Sequence, residues 1–164
     1  MSLENLADVR LIAFDVDGVF TDGRFYLSDA GIESKAFNTQ DGFGVRQLLD
    51  ADISVAIISG RQSEAVARRM QELGVPHVIQ GCKDKVAALD AILGETGLTW
   101  RQCAYVGDDV PDLPLLTRVG VSIAVANAVE PVRAQCDYLT EARGGFGAVR
   151  EVCDLLLSIR NERP

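Results

Sequence analysis

The sequence predicts an α/β fold, a Rossmann-like parallel sheet with helices on both faces, and three observations carry that expectation. Short β-branched and apolar runs alternate with helix-like stretches along most of the chain. Such alternation means parallel strands joined by right-handed crossovers. The two densest acidic groups fall where such runs end, which is where a parallel sheet gathers its ligands. At 164 residues the chain suits one domain, spanning 1–164, with no internal repeat, low-complexity tract or interdomain linker.

The strand candidates are, in order, Val9 to Val16, Ile53 to Ser59, His77 to Gln80, Cys103 to Val106, Val121 to Val125 and Tyr138 to Thr140. Between Ile53 to Ser59 and His77 to Gln80 lies Ser63 to Leu73, where Ala65, Val66, Met70 and Leu73 form one apolar face and Gly74 supplies a stop. Lys85 to Leu93, Leu113 to Val119, Val129 to Gln135 and Gly147 to Ile159 follow the same helical pattern. One insertion breaks the rhythm. Arg24 to Leu27 and Ser34 to Asn38 flank the turn residues Ser28, Asp29, Ala30 and Gly31, which predicts a β-hairpin flap after the first strand, ahead of a first helix near Gly44.

The composition excludes several function classes. A formal charge of -8 argues against a nucleic-acid partner, since phosphate backbones are bound through basic faces. No apolar run approaches the ~18 residues of a membrane span, so no membrane partner is expected. Met1 to Asp8 holds no basic cluster followed by an apolar core, and a cytoplasmic location is expected. Cys82, Cys103, Cys136 and Cys153 are widely spaced, without histidines nearby, and are read as reduced, mostly buried thiols rather than a zinc site. His77 is read as a packed or surface residue, and Phe43, Phe146 and Trp100 as packing residues.

The chemistry sits at strand ends. Asp15-Val16-Asp17-Gly18-Val19-Phe20-Thr21-Asp22-Gly23 begins where the first strand gives way to a loop, so both Asp15 and Asp17 can face one cleft. Two carboxylates about 4 Å apart repel by ~4 kcal/mol at an effective dielectric of ~20. A divalent cation such as Mg2+ relieves this, and one carboxylate can then attack phosphorus while the other carries the leaving group's proton. Gly107-Asp108-Asp109-Val110-Pro111-Asp112 repeats the pattern. A metal completed by Asp108 and steadied by Asp109 and Asp112 around it would explain those carboxylates. Ser59-Gly60-Arg61 offers a hydroxyl, a close backbone approach and a guanidinium to an anion ahead of a helix, and Lys83 and Lys85 flank Asp84 at the start of another.

These blocks, in this order, resemble the four motifs of the haloacid-dehalogenase phosphatases. From about Val9 to Leu157 the chain is similar to the small, capless members that act on 3-deoxy-D-manno-octulosonate 8-phosphate in lipopolysaccharide precursor synthesis. The similarity rests on Asp15 to Gly23, Phe37 to Gly44, Gln80-Gly81, and Gly147 to Leu156. The resemblance implies magnesium held by the Asp15 carboxylate, the Asp17 main-chain carbonyl and Asp108. It implies Asp15 as nucleophile, Asp17 as acid and base, and Ser59 and Lys85 as holders of the phosphoryl oxygens. Further substrate contacts are implied at Asn38, Thr39, Gln40, Asp41, Gly42, Arg46, Gly60, Arg61 and Arg69, with arginines suited to a sugar acid's carboxylate. A homotetramer whose hairpins and neighbouring subunits close over the site is also implied. Family members often carry an arginine in the glycine-rich segment where this chain reads Gly144-Gly145-Phe146-Gly147, and only Arg160 to Pro164 follow the last expected helix.

Three other readings share these features. A phosphatase for a nine-carbon sugar acid phosphate would differ at a few polar contacts. A receiver domain also uses clustered acids, magnesium and a lysine, but places its acidic pair on the first strand and its phosphoacceptor on a later one. A non-catalytic relative would keep the fold, although none of the expected catalytic residues is missing here.

Overall fold

A computed structural model describes residues 3–161. The positions 162–164, part of the short tail expected after the last helix, lie outside the described residues, as do residues 1–2 of the N-terminal stretch. Six parallel strands form the main sheet: β1 (Leu11–Phe14), β4 (Ser54–Ile58), β5 (His77–Ile79), β6 (Cys103–Gly107), β7 (Val121–Ala124) and β8 (Tyr138–Leu139). Their spatial order is β5-β4-β1-β6-β7-β8, with every pairing parallel. All six expected strands are present, mostly trimmed by a residue or more at their ends.

β1, β6 and β7 are buried along their whole length and β4 at all but its first residue, which explains apolar runs without polar alternation. Helix α1 (Thr39–Asp50) packs on α6 (Ala148–Asn161), and α3 (Lys85–Thr96) packs on α4 (Leu113–Leu116). Helix α1 joins β1 to β4 and α3 joins β5 to β6, in opposite directions along the sheet, so right-handed crossovers put the two pairs on opposite faces. Helix α2 (Glu64–Leu73) ends at Gly74 in the left-handed conformation (φ 76°), as its sequence stop implied. Ser63 occupies the N-cap position of α2 without a capping hydrogen bond from its side chain. Helix α4 is shorter than expected because Arg118 and Val119 donate back to Leu115 and Gly120 then turns into β7. Helix α5 (Glu130–Arg133) is likewise short.

A two-stranded antiparallel ribbon of β2 (Tyr26–Leu27) and β3 (Glu33–Ser34) stands apart from the sheet. Its second strand begins one residue earlier than the sequence suggested and is only two residues long. The turn is closed by the Gly31 amide donating to the Ser28 carbonyl at 2.8 Å, with Gly31 at φ 77°.

The register sets up the site. Phe14 lies opposite Ile57 on one side and Val106 on the other. The next residues, Asp15, then Ser59 and Asp108 a step beyond, therefore emerge side by side at the carboxyl edge. The Asp15 amide donates to the Val106 carbonyl at 3.0 Å, so the nucleophile candidate is still tied to the sheet.

Leu48 is fully buried on α1, which packs on both α6 and β4. Leu48→Ala is expected to cost about 2–5 kcal/mol through lost burial and a residual cavity. Urea unfolding should show a lower midpoint with an unchanged slope.

Candidate active site

The loop after β1 turns sharply. Amides of Val19, Phe20 and Thr21 all donate to the Val16 carbonyl, at 3.1, 2.9 and 3.2 Å, and the Thr21 hydroxyl accepts the amides of Gly18 and Gly23 at 3.3 and 3.1 Å. Gly18 holds φ 89°, and a Cβ there would lie 1.9 Å from Asp108 Oδ2. Glycine is thus required twice, for the backbone angle and for the approach of the second acidic loop.

That second loop is organised by Asp112, which is fully buried. Its Oδ2 accepts the amides of Asp108 and Asp109 at 3.0 and 3.3 Å, while its Oδ1 accepts the Tyr105 hydroxyl and the Lys85 ammonium, both at 2.7 Å. Lys85 Nζ lies 3.2 Å from Asp15 Oδ1, so one ammonium bridges the two acidic loops. Asp109 caps the short 3-10 turn Val110–Asp112 by accepting the Val110 amide at 2.7 Å. Asp84, not Lys83, caps α3, accepting the Ala87 amide at 3.0 Å, and Lys83 stays exposed.

Burial first, and the neighbouring Asp112 next, push the Asp15 carboxyl up to about 6 in spite of Lys85. Burial, with Asp15, Asp112 and Asp109 close by, pushes Asp108 up to about 8. Burial alone would lower Lys85, but the Asp15 and Asp112 carboxylates outweigh it and raise it. The three carboxylates thus share less positive charge than they need. Oxygens of Asp15, Asp108 and Asp112 lie within 4.8 Å of one another. Asp112 already accepts four donors, which leaves Asp15 and Asp108 as the side-chain ligands for a cation. Asp108 Oδ1 is buried without a hydrogen-bond partner, as an oxygen kept for a hard cation would be. These residues fit a divalent metal.

Opposite stands the loop after β4. Ser59 is buried, its hydroxyl accepting the Arg61 amide at 3.3 Å, and Gly60 and Arg61 line the cleft beside it. Asp15, Asp17, Ser59, Gly60, Arg61, Lys85, Asp108, Asp109 and Asp112, all singled out from the sequence, meet in one cleft of about 290 Å³. Small-molecule sites usually enclose ~300–1,000 Å³, so this cleft sits at the lower end of that range.

Among the described residues, the lining of that cleft does not include Asn38, Thr39, Gln40, Asp41, Gly42, Arg46 or Arg69. Asn38 caps α1, accepting the Gln40 amide at 2.8 Å, and reaches the Gly145 carbonyl at 3.4 Å. Asp41 is buried and turned inward, where it accepts the Arg150 amide at 2.9 Å and ties α1 to α6. Gly42 makes room for the Arg69 guanidinium, whose Nη2 would lie 2.2 Å from a Cβ there, while Thr39, Gln40 and Arg46 face solvent. Phe43 and Phe146 do not pack as expected: they are 56% and 66% exposed, Phe43 because it falls on the outer side of α1. Trp100 is partly buried, its indole N–H donating to Asp90 at 3.1 Å. The cysteines are unpaired, and burial pushes the Cys103 thiol up to about 12, so it is no thiolate.

Two residues that sequence reasoning passed over also reach the site. Lys35, just after β3, pairs with Asp17 Oδ1, and Glu33 on β3 accepts from Arg61 Nη2 at 2.6 Å. Their i, i+2 spacing, which puts both on one face of a strand, was the available signal.

The haloacid dehalogenase-like hydrolase family matches residues 77–150 of this chain. Over 155 residues the chain is 44% identical to 3-deoxy-D-manno-octulosonate 8-phosphate phosphatase KdsC of Yersinia pestis, covering 94% of this chain and 83% of that protein. It is 47% identical over 150 residues to the same phosphatase of Escherichia coli K12, covering 92% and 80%. Among solved structures, the 3-deoxy-D-manno-octulosonate 8-phosphate phosphatase of Moraxella catarrhalis, in complex with a magnesium ion, a phosphate ion and a KDO molecule, superposes with a TM-score of 0.94. It is 45% identical, and the match covers 96% of this chain and 91% of that one.

The raised carboxyls set a pH dependence for the metal-free protein. Folded Asp15 and Asp108 hold protons that the unfolded chain releases near pH 4, so without metal their favourable contribution is complete at low pH and is lost as pH rises through about 6 and about 8. In EDTA the melting temperature should fall between about pH 5 and pH 8. Magnesium should raise it more at the upper end, and Asp108→Asn should remove most of that difference. Thermal melts across pH, with and without magnesium, check this.

Proposed function

The chain belongs to the 3-deoxy-D-manno-octulosonate 8-phosphate phosphatases of the haloacid dehalogenase-like hydrolases, and we propose that it hydrolyses that ester to the free sugar acid and inorganic phosphate. The observation that carries this reading is the meeting of Asp15, Asp17, Lys85 and Asp108 in one cleft, in a chain 44–47% identical to such phosphatases.

Magnesium is the cofactor, and the Asp15 and Asp108 carboxylates with the Asp17 main-chain carbonyl would hold it. Bound there, it supplies positive charge to the carboxylate cluster and to the phosphoryl oxygens. Asp15 attacks phosphorus, forming an Asp15 O–P bond as the ester P–O bond breaks, and Asp17 gives the departing sugar oxygen its proton. Water then attacks the aspartyl-phosphate, its proton returning to Asp17, and Asp15 is regenerated. Ser59 and Lys85 hold the phosphoryl oxygens, and Lys85 keeps Asp15 oriented through the contact at 3.2 Å. Asp112, with its four donors, fixes Lys85 and the backbone that presents Asp108.

The sugar end is read by Gly60 and Arg61 at the cleft, with Asn38, Thr39, Gln40, Gly42, Arg46 and Arg69 as further contacts completed by a neighbouring subunit, while Asp41, turned inward, holds α1 against α6. A homotetramer suits this arrangement. Tyr26, Leu27 and Ile32 on the ribbon are 65–70% exposed, an apolar surface that a neighbour would cover. Among the described residues no helix is long and apolar enough to cross a membrane. A cytoplasmic place in lipopolysaccharide precursor synthesis, as a single domain over 1–164, completes the proposal.

Phosphate release should be measured from 3-deoxy-D-manno-octulosonate 8-phosphate, a sialic-acid 9-phosphate, hexose phosphates and p-nitrophenyl phosphate. The expected result is a magnesium-dependent preference for the octulosonate, abolished by EDTA and restored by magnesium. Asp15→Asn should lower kcat by at least about three orders of magnitude while the chain still unfolds in a single cooperative transition in phosphate-free buffer. Wild-type-like turnover in that variant would sink the nucleophile assignment, and a preference for another ester would change the substrate.

A further inference from the structure

We propose that Lys35, which lies outside the motifs that define the site, is the positioning residue for Asp17. The inference rests on the phosphatase reading above. The Lys35 side chain is 0% exposed, although it emerges from a ribbon whose other residues mostly face solvent. An ammonium removed from water is costly unless it is paired. Here it contacts Asp17 Oδ1 and lies 3.5 Å from Glu33 Oε1. Glu33 Oε2 in turn takes Arg61 Nη2 at 2.6 Å, and Arg61 Nε lies 3.9 Å from Asp17 Oδ2. Asp17, Lys35, Glu33 and Arg61 therefore form a closed ring of alternating charge. The Phe25 ring backs it, 4.2 Å from the Arg61 guanidinium and 6.0 Å from the Lys35 ammonium.

The ring fixes the orientation of the Asp17 carboxyl. An ammonium can only donate, so Oδ1 is committed as an acceptor and a proton carried by Asp17 sits on Oδ2. Oδ2 lies 3.9 Å from Arg61 Nε, beyond hydrogen-bond reach and so free to carry the proton, on the side where Arg61 and Asp15 line the cleft. In the first half-reaction the proton moves from Oδ2 to the departing ester oxygen while the Asp15 O–P bond forms. In the second it returns to Oδ2 from the attacking water. Lys35 donates to Asp17 throughout and faces the carboxylate that exists between the two half-reactions, so its contact is strongest when Asp17 has given up the proton. A residue that only tied down the ribbon would lack this link to proton delivery.

The leaving group separates the two roles. An alkyl ester needs a proton on its departing oxygen, whereas p-nitrophenolate leaves without one. Steady-state kinetics should be run with wild type, Lys35→Met and Lys35→Arg on the best alkyl phosphate of the panel and on p-nitrophenyl phosphate. Lys35→Met is expected to lose about 10- to 100-fold in kcat on the alkyl ester and at least tenfold less on the aryl ester, with Lys35→Arg recovering most of the loss. In an Asp17→Asn background, Lys35→Met should add little. Equal losses on both esters, no loss on the alkyl ester, or additive effects with Asp17→Asn would overturn the assignment. Wild type inactive on every ester would instead overturn the phosphatase reading, and the assignment with it.

Discussion

The contact on which this structure depends is the bridge that Lys85 makes between Asp15 and Asp112. It brings opposite charge to two strand ends that would otherwise repel, and its partner Asp112 spends all its remaining acceptor capacity on Tyr105 and the amides of Asp108 and Asp109. Removing one member of a buried pair of this kind costs ~3–5 kcal/mol, because the other charge is left without compensation. Gly107 belongs to the same arrangement. A Cβ there would stand 2.6 Å from Asp112 Oδ2, so the carboxylate can reach the backbone of its own loop only beneath a glycine.

A second set of close contacts locks the first acidic loop to the segment before α6. Asn127 donates to the Gly18 carbonyl at 3.1 Å and accepts the Gly144 amide at 2.6 Å, spanning the two. A Cβ on Gly144 would fall 1.7 Å from the same Gly18 carbonyl, and the Gly145 amide donates to Val19 at 3.1 Å. Glycines at 18, 107 and 144 thus let three loops approach closely enough for their polar groups to serve one another. Rigidity at the cleft comes from this packing of backbone on backbone rather than from any large side chain.

Which parts of this were legible in the sequence follows from how far each contact reaches. Asp15, Asp17, Ser59, Asp108 and Asp112 could be placed because each sits at the end of an apolar run, and a parallel sheet brings all such ends to one edge whatever the details of packing. Asp41 could not, since its inward turn depends on the Arg150 amide of α6, 109 positions away. Lys35 was overlooked for a related reason. Its spacing from Glu33 marks a shared strand face, but its pairing with Asp17 arises only when the ribbon folds back onto the loop from which it departs. Phe43 and Phe146 mislead in the opposite direction, because aromatic residues invite a packing role that the described chain, taken singly, does not give them.

The net charge of -8 can now be set against the substrate. Among the described residues the cations at the cleft are already engaged in the metal-free protein: Lys85 with Asp15 and Asp112, Lys35 with Asp17 and Glu33, Arg61 with Glu33. Carboxylates outnumber these cations, so without a metal a phosphate dianion approaching the cleft meets repulsion rather than a ready-made anion hole. Burial strengthens that repulsion, as the raised Asp15 and Asp108 show. Attraction therefore has to come from a divalent cation held by Asp15 and Asp108, which reverses the sign of the field where the phosphoryl group must sit and frees Lys85 to share its donors with it. An acidic protein can in this way admit an anionic ester only when its metal site is filled, and the excess of carboxylates that looks unfavourable for a phosphatase becomes the means by which metal binding and substrate binding are linked.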